Sequence, residues 1–252
     1  PAQLMAVSTV DMPAIVLSGG PMLDGWFDGE LVGSGAAIWK ARRQLAAGSI
    51  DEQKFMNIAT ASAPSAGHCN TMGTASTMNA VAEALGMSLT GCAAIPAPYR
   101  ERGQMAYETG RRIVGLAMED VRPSNILTRD AFLDAIVVNA AIGGSSNAQP
   151  HIMAMARHAG VEITTEDWMT YGYEVPLLLN MQPAGKYLGE RFHRAGGVPA
   201  VMWELDQAGL LRSDRLTVTG TTMAQNVVMH QTMDREMIRP FADPLKENAG
   251  FL

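Results

Sequence analysis

The feature that most constrains this chain is a repeated stop signal. Long helix-patterned stretches each end at a glycine. Ser34 to Ala47 closes at Gly48, Thr71 to Leu85 at Gly86, and Ser146 to Ala159 at Gly160. A stretch led by Val198 to Leu205 runs toward Gly209. Glycine just beyond a last turn accepts the left-handed backbone that closes a helix, so each stretch reads as a helix with its stop. Met105 to Met118 and Asp130 to Ala141 read as further helices. Two starts are written as capping boxes, Ser49 with Glu52 and Thr164 with Glu166-Asp167.

Short apolar runs fall between these helices. Ala14 to Ser18, Pro176 to Asn180 and Leu216 to Gly220 read as buried strands bounded by turn residues. Helices separated by short strands predict an α/β fold, a layered and helix-rich α/β/α domain with short buried strands. There is no internal repeat, low-complexity tract or long linker, so residues 1–252 read as a single α/β domain. The start at Pro1 and the apolar end Gly250-Phe251-Leu252 read as cuts in a longer polypeptide. A fragment is therefore expected.

Composition narrows the function. Hydrophobic residues make up 47% of the chain and charged residues only 17%. So lean a charged surface implies cover from more chain or from another subunit, and a homodimer or homotetramer is expected. The net charge is −6 and the basic residues are scattered, which excludes the footprint of a nucleic-acid binder. No apolar run approaches the ~18 residues of a membrane span. The N-terminus lacks the layout of a signal peptide. Two cysteines make no disulfide framework, and a cytoplasmic setting is the simplest reading. The eighteen methionines read as core or interface filler.

Cys69 is the most legible functional residue. It precedes the stretch read as a helix from Thr71, with Asn70 or Thr71 available as N-cap. A helix N-terminus offers free backbone N–H groups and partial positive charge, and both favour a thiolate. Gly67 and Gly73 allow close approach. The competing reading is a small buried hydrophobe. No CxxC or CxxH pattern accompanies Cys69, so the sequence carries no complete metal site. His68 reads as a pocket-lining or supporting group, because adjacent residues rarely converge on one metal. Cys92, in an apolar stretch, reads as core.

Other motifs leave two readings open. Gly143-Gly144-Ser145-Ser146-Asn147 could present N–H groups and hydroxyls to a carboxylate, or be a turn with an N-cap. Ser18-Gly19-Gly20-Pro21 could border a ligand crevice, or be a turn. Gly33-Ser34-Gly35 lacks the third glycine and the preceding strand of a dinucleotide fingerprint, and that reading is rejected. Tyr99, Arg100 and Arg102 could meet an acidic substrate or a partner, or lie in a solvated loop.

Taken in order, several of these stretches resemble one family. Pro64 to Asn79, which contains Gly67-His68-Cys69-Asn70-Thr71-Met72-Gly73-Thr74, resembles the third cluster-cysteine motif of the iron–sulfur dehydratases of the IlvD/Edd type. Glu83-Ala84-Leu85-Gly86-Met87, Gly143 to Ala148, Ala195-Gly196-Gly197-Val198-Pro199 and Pro240 to Lys246 match in the same order. His68 to Thr74 and Ala94-Ile95-Pro96-Ala97-Pro98-Tyr99-Arg100 resemble the sugar-acid branch, which acts on arabinonate, xylonate or gluconate. The branched-chain dihydroxyacid dehydratases usually carry Cys-Gly-Gly-Met at the cysteine.

The resemblance implies dehydration of a sugar acid to a 2-keto-3-deoxy acid, with a [2Fe–2S] cluster as Lewis acid and Mg2+ holding the substrate. It implies Cys69 as one of three cluster ligands. His68, Ser18, Ser145, Ser146 and Asn147 become candidates for the substrate pocket. Pro1 to Met5 resembles the sequence just after the family's Cys-Asp-Lys motif. The other cysteines, the magnesium ligands and the catalytic base are therefore expected outside residues 1–252. Two alternatives stand beside this reading. One is a dihydroxyacid dehydratase of branched-chain amino acid biosynthesis. The other is a non-catalytic structural piece.

Overall fold

A computed structural model of the chain describes residues 1–249. The terminal Gly250-Phe251-Leu252, expected as an apolar cut end, lies outside the described residues. In chain order the elements are α1 (Ala2–Val10), a hairpin of β1 (Trp26–Phe27) and β2 (Glu30–Leu31), α2 (Ala36–Ala46), α3 (Glu52–Ala61) and α4 (Thr74–Ala84). There follow α5 (Arg100–Glu119), α6 (Pro123–Ile126), α7 (Arg129–Ala141), α8 (Ala148–His158) and α9 (Thr165–Gly172). The last are α10 (Gly189–Arg194), α11 (Gly197–Gln207) and α12 (Met223–Val227). The expected class holds: a helix-rich α/β domain with few short strands.

The apolar pattern explains which helix lies innermost. Every residue of α7 from Ala131 to Ala141 is buried. A helix apolar on all sides must be covered on all sides, and α4, α8, α9 and α11 pack around it. A carboxylate lies at the centre of this core. Asp134 is fully buried, 2.8 Å from Arg215 Nε and 3.2 Å from an Arg212 guanidinium nitrogen. Arg215 also donates to the Ala84 and Leu85 carbonyls, the free acceptors at the end of α4. The pair thus ties α4 and α7 to the segment before α12. Among the described residues, no helix is long and apolar enough to cross a membrane.

Several boundaries differ from expectation. The third helix is capped by Asp51, whose side chain accepts from Lys54 N, and not by Ser49, whose hydroxyl turns back to the Gln44 carbonyl. The capping box at Thr164 and Asp167 forms as read. The fourth helix starts at Thr74 with Gly73 as N-cap, so neither Asn70 nor Thr71 caps it. The eighth starts at Ala148.

Among the described residues, none of the three runs read as strands forms one; they make isolated bridges or single hydrogen bonds, and Val218 and Thr219 lie in a turn. Leu177 bridges Lys246 and Leu179 bridges Ile238, while the Leu178 N–H turns to the Ala141 carbonyl at the end of α7. Leu216 bridges Thr222 within its own turn. Val16 holds a Met87 carbonyl, and Ala14–Leu17 is only partly covered.

Candidate functional site

Cys69 sits in the connection between α3 and α4, and three other segments clamp that connection. The His68 N–H donates to the Gly20 carbonyl at 3.0 Å, and the His68 carbonyl accepts from Met22 N at 2.8 Å. Met72 N donates to the Gln182 carbonyl at 2.7 Å, and Gly189 N to the Asn70 carbonyl at 2.9 Å. The approach at Gly67 is close: its φ is +132°, and a Cβ there would lie 2.5 Å from Met22 N. Only glycine meets both conditions.

The thiol is half-buried and free. Two hydroxyls reach it. Ser34 Oγ and Thr71 Oγ1 each lie 2.9 Å from Cys69 Sγ. Ser34 comes from the segment before α2 and is positioned through Asn70. Asn70 is fully buried; its Oδ1 accepts from Ser34 N at 3.0 Å, and its Nδ2 donates to the Leu23 carbonyl at 2.9 Å. Gly33 makes this approach possible, since a Cβ there would lie 2.7 Å from Thr71 Cγ2 and from Gln182 Oε1.

His68 is held at both ring nitrogens. Nδ1 lies 3.0 Å from the Cys69 carbonyl and Nε2 lies 2.7 Å from Asn79 Nδ2. A carbonyl only accepts and an amide nitrogen only donates, so the network assigns the proton to Nδ1. Burial pushes the imidazole below its ordinary value; the hydrogen bond to the Cys69 carbonyl opposes this and the Arg102 charge adds to it. A neutral His68 therefore brackets the Cys69 peptide from α4.

The remaining candidates divide between two places. Ser145 Oγ lies 3.1 Å from Thr74 Oγ1, Ser145 N donates to Thr77 Oγ1, and Asn147 Nδ2 donates to Thr74 Oγ1 at 3.0 Å. The Gly143–Asn147 loop thus covers the first turn of α4, the helix that the Cys69 loop enters. Ser146 on the same loop is exposed. Ser18 lies elsewhere: buried, with Oγ 3.4 Å from the Cys92 carbonyl and 3.6 Å from Cys92 Sγ.

Cys92 is fully buried, as read. Arg102, which could have been a solvated loop residue, points inward. Its guanidinium holds the Ser18 carbonyl at 2.8 Å, the Cys92 carbonyl at 3.0 Å and the Ile95 carbonyl. Tyr99 donates to Glu190 at 2.5 Å and accepts from Arg194. Glu190 and Asp24 exchange reciprocal hydrogen bonds, each carboxylate accepting from the other's backbone N–H.

Ser34 is the residue near the sulfur that the sequence did not single out, and Asn70 and Thr71 stood there only as helix caps. The only available signal was the small Gly33-Ser34-Gly35 triplet, weighed there for a nucleotide alone. Among the described residues, no group of three or more His, Cys, Asp or Glu side chains is placed to hold a metal ion. What the site offers a metal is one accessible sulfur with hydroxyls on it.

Comparison with known proteins places this geometry in a family. Over the whole chain it is 70% identical to a D-xylonate dehydratase of Caulobacter vibrioides, of which it covers 42%. It is 45% identical to an L-arabinonate dehydratase of Rhizobium leguminosarum bv. trifolii, again over the whole chain and 44% of that relative. Over 99% of its length it is 44% identical to a dihydroxy-acid dehydratase of Caldanaerobacter subterraneus, covering 45% of it. The chain spans less than half the length of each of these relatives. Residues 1–226 match the dihydroxy-acid/6-phosphogluconate dehydratase N-terminal family, and the chain belongs to that family.

Proposed function

We propose that this chain is part of the N-terminal domain of a longer sugar-acid dehydratase that converts an aldonate to a 2-keto-3-deoxy acid. In this reading Cys69 is one of three thiolate ligands of a [2Fe–2S] cluster. The observation that carries it is the 70% identity, over the whole chain, to a relative named for xylonate dehydration. The sulfur fits a cluster ligand: it is reachable, unpaired and surrounded by hydrogen-bond donors. Bound there, the cluster would supply a Lewis-acidic iron for a hydroxide that otherwise leaves poorly.

The chain's own residues hold and orient. Neutral His68 fixes the Cys69 peptide against Asn79. Thr74, Ser145 and Asn147 set a polar edge at the start of α4, suited to a substrate carboxylate or hydroxyl. Ser146 and Ser18 belong to the pocket in the same reading. Mg2+ is part of the proposal by resemblance alone. Among the described residues no group of three or more His, Cys, Asp or Glu side chains is placed to hold it, and the resemblance assigns its ligands and the base to the rest of the longer protein. A cytoplasmic homodimer or homotetramer completes the proposal.

A second reading rests on the 44% identity to a dihydroxy-acid dehydratase. A substrate panel on the full-length protein separates the two. Turnover of xylonate, arabinonate or gluconate well above 2,3-dihydroxyisovalerate is expected, and the reverse order would favour the second. An iron-free protein that dehydrates neither class would leave the chain a structural piece.

A further inference from the structure

The triplet Gly33-Ser34-Gly35, with no nucleotide to bind, lies against the Cys69 loop. Each neighbouring hydroxyl has one proton to give. Ser34 Oγ lies 2.9 Å from Cys69 Sγ and 3.2 Å from Asn70 Oδ1, so its one proton can go to either acceptor, the sulfur being the nearer. Thr71 Oγ1 lies 2.9 Å from the same sulfur. A thiol that keeps its proton can accept from one neighbour and donate to the other. A sulfur bonded to a metal has only lone pairs, and both hydroxyls then donate to it. The two hydroxyls are also held before any ligand arrives. Asn70 is fully buried, Thr71 is 5% exposed, and Gly33 leaves no room for a side chain.

We propose that Ser34 and Thr71 are positioning residues for the Cys69 sulfur. Their hydroxyls donate to it in the cluster-bound protein and draw charge from the iron–sulfur bond. This rests on Cys69 being a cluster ligand. Hydrogen bonds to ligating sulfur favour the more negative, reduced state, so they raise the cluster's potential, and groups beyond the ligands hold the ligand itself in place.

The test uses the cluster-loaded full-length protein and the variants Thr71→Val, Thr71→Ser, Ser34→Ala and Cys69→Ser. The readouts are iron and sulfide content, the visible sulfur-to-iron absorption bands, the midpoint potential and the rate of bleaching in air. Thr71→Val and Ser34→Ala should keep their iron, shift the bands, lower the potential and bleach several-fold faster. Thr71→Ser keeps the hydroxyl and should restore all three. Wild-type bands and potential in both Thr71→Val and Ser34→Ala would overturn the proposal. So would a Thr71→Ser protein shifted as far as Thr71→Val, because the hydroxyl would not be the cause. If Ser34→Ala fails to fold, the Thr71 pair decides alone. Full cluster content in Cys69→Ser would instead overturn the ligand reading on which the proposal stands.

Discussion

Cys69 and Cys92 stand on either side of α4, and both have polar neighbours, yet their surroundings differ in kind. Cys69 is reachable, and what reaches it are two hydroxyls 2.9 Å away, each able to donate to sulfur. Cys92 is sealed, and the groups nearest its sulfur, Arg102 at 3.5 Å and Ser18 Oγ at 3.6 Å, are shared with backbone carbonyls. Arg102 holds three carbonyls. Glu83, fully buried, accepts from Gly91 N at 2.5 Å and from Ala93 N at 2.8 Å, on both sides of the cysteine. Polarity near a sulfur therefore says little. Access separates a ligand from a packed side chain.

Exchanging each sulfur for oxygen tests this separation most severely. Cys69→Ser in the full-length protein should lose most of its iron, its visible colour and its activity. Cys92→Ser should keep all three and cost only about 1–3 kcal/mol in stability, from a buried hydroxyl in place of a thiol. Iron analysis and denaturant melts measure both. Comparable iron loss in the two variants would erase the distinction.

Arg102→Ala attacks the Cys92 side while leaving the cysteine in place. Three buried carbonyls lose a donor, and a destabilisation of about 3–5 kcal/mol is expected, with iron per folded chain unchanged. Arg102→Lys should recover less than half, because one ammonium cannot reproduce the fork of a guanidinium. A melt of Arg102→Ala within error of wild type would show that water replaces those bonds.

The two sulfurs also differ in how far the sequence exposed them. Cys92 could be read as core because its neighbours are apolar. The role of Cys69 came from its extended motif. The helix argument for it was displaced, because the intervening residues are used otherwise: Asn70 anchors Ser34, and Thr71 turns to the sulfur. Such long-range partners leave no periodic trace. The helix stops were legible because Gly86, Gly160 and Gly209 take the positive φ that closes a helix. The strand runs misled for a physical reason. Leu178 finds its acceptor on the end of α7, so an apolar, extended segment is satisfied without a neighbouring strand. The hairpin that does form had a signal of its own. Asp28-Gly29, both at positive φ, is the two-residue turn that right-twisted strands favour, and it joins β1 to β2.

The most gradual expected effect concerns Glu83 beneath Cys92. Burial pushes its carboxyl up from 4.5 to about 7, against the two backbone N–H groups and the Arg102 charge, which act to lower it. The folded protein therefore keeps a proton on Glu83 that the unfolded chain releases near its ordinary value. Between pH 4.5 and 7 the folded state binds more protons, so stability from this group is full below that window and is lost as pH rises through it. The shift corresponds to a loss on the order of 3 kcal/mol across the window. Asp24, raised to about 6 chiefly by burial, slopes the same way but is present in both wild type and Glu83→Gln, so it cancels in their difference. Denaturant melts at several pH values should show the stability of wild type relative to Glu83→Gln falling as pH rises toward 7, then levelling. A flat or rising difference would mean that Glu83 is ionised throughout. Arg102 and the two amides would then outweigh burial, and the Cys92 side would be held by a fixed charge.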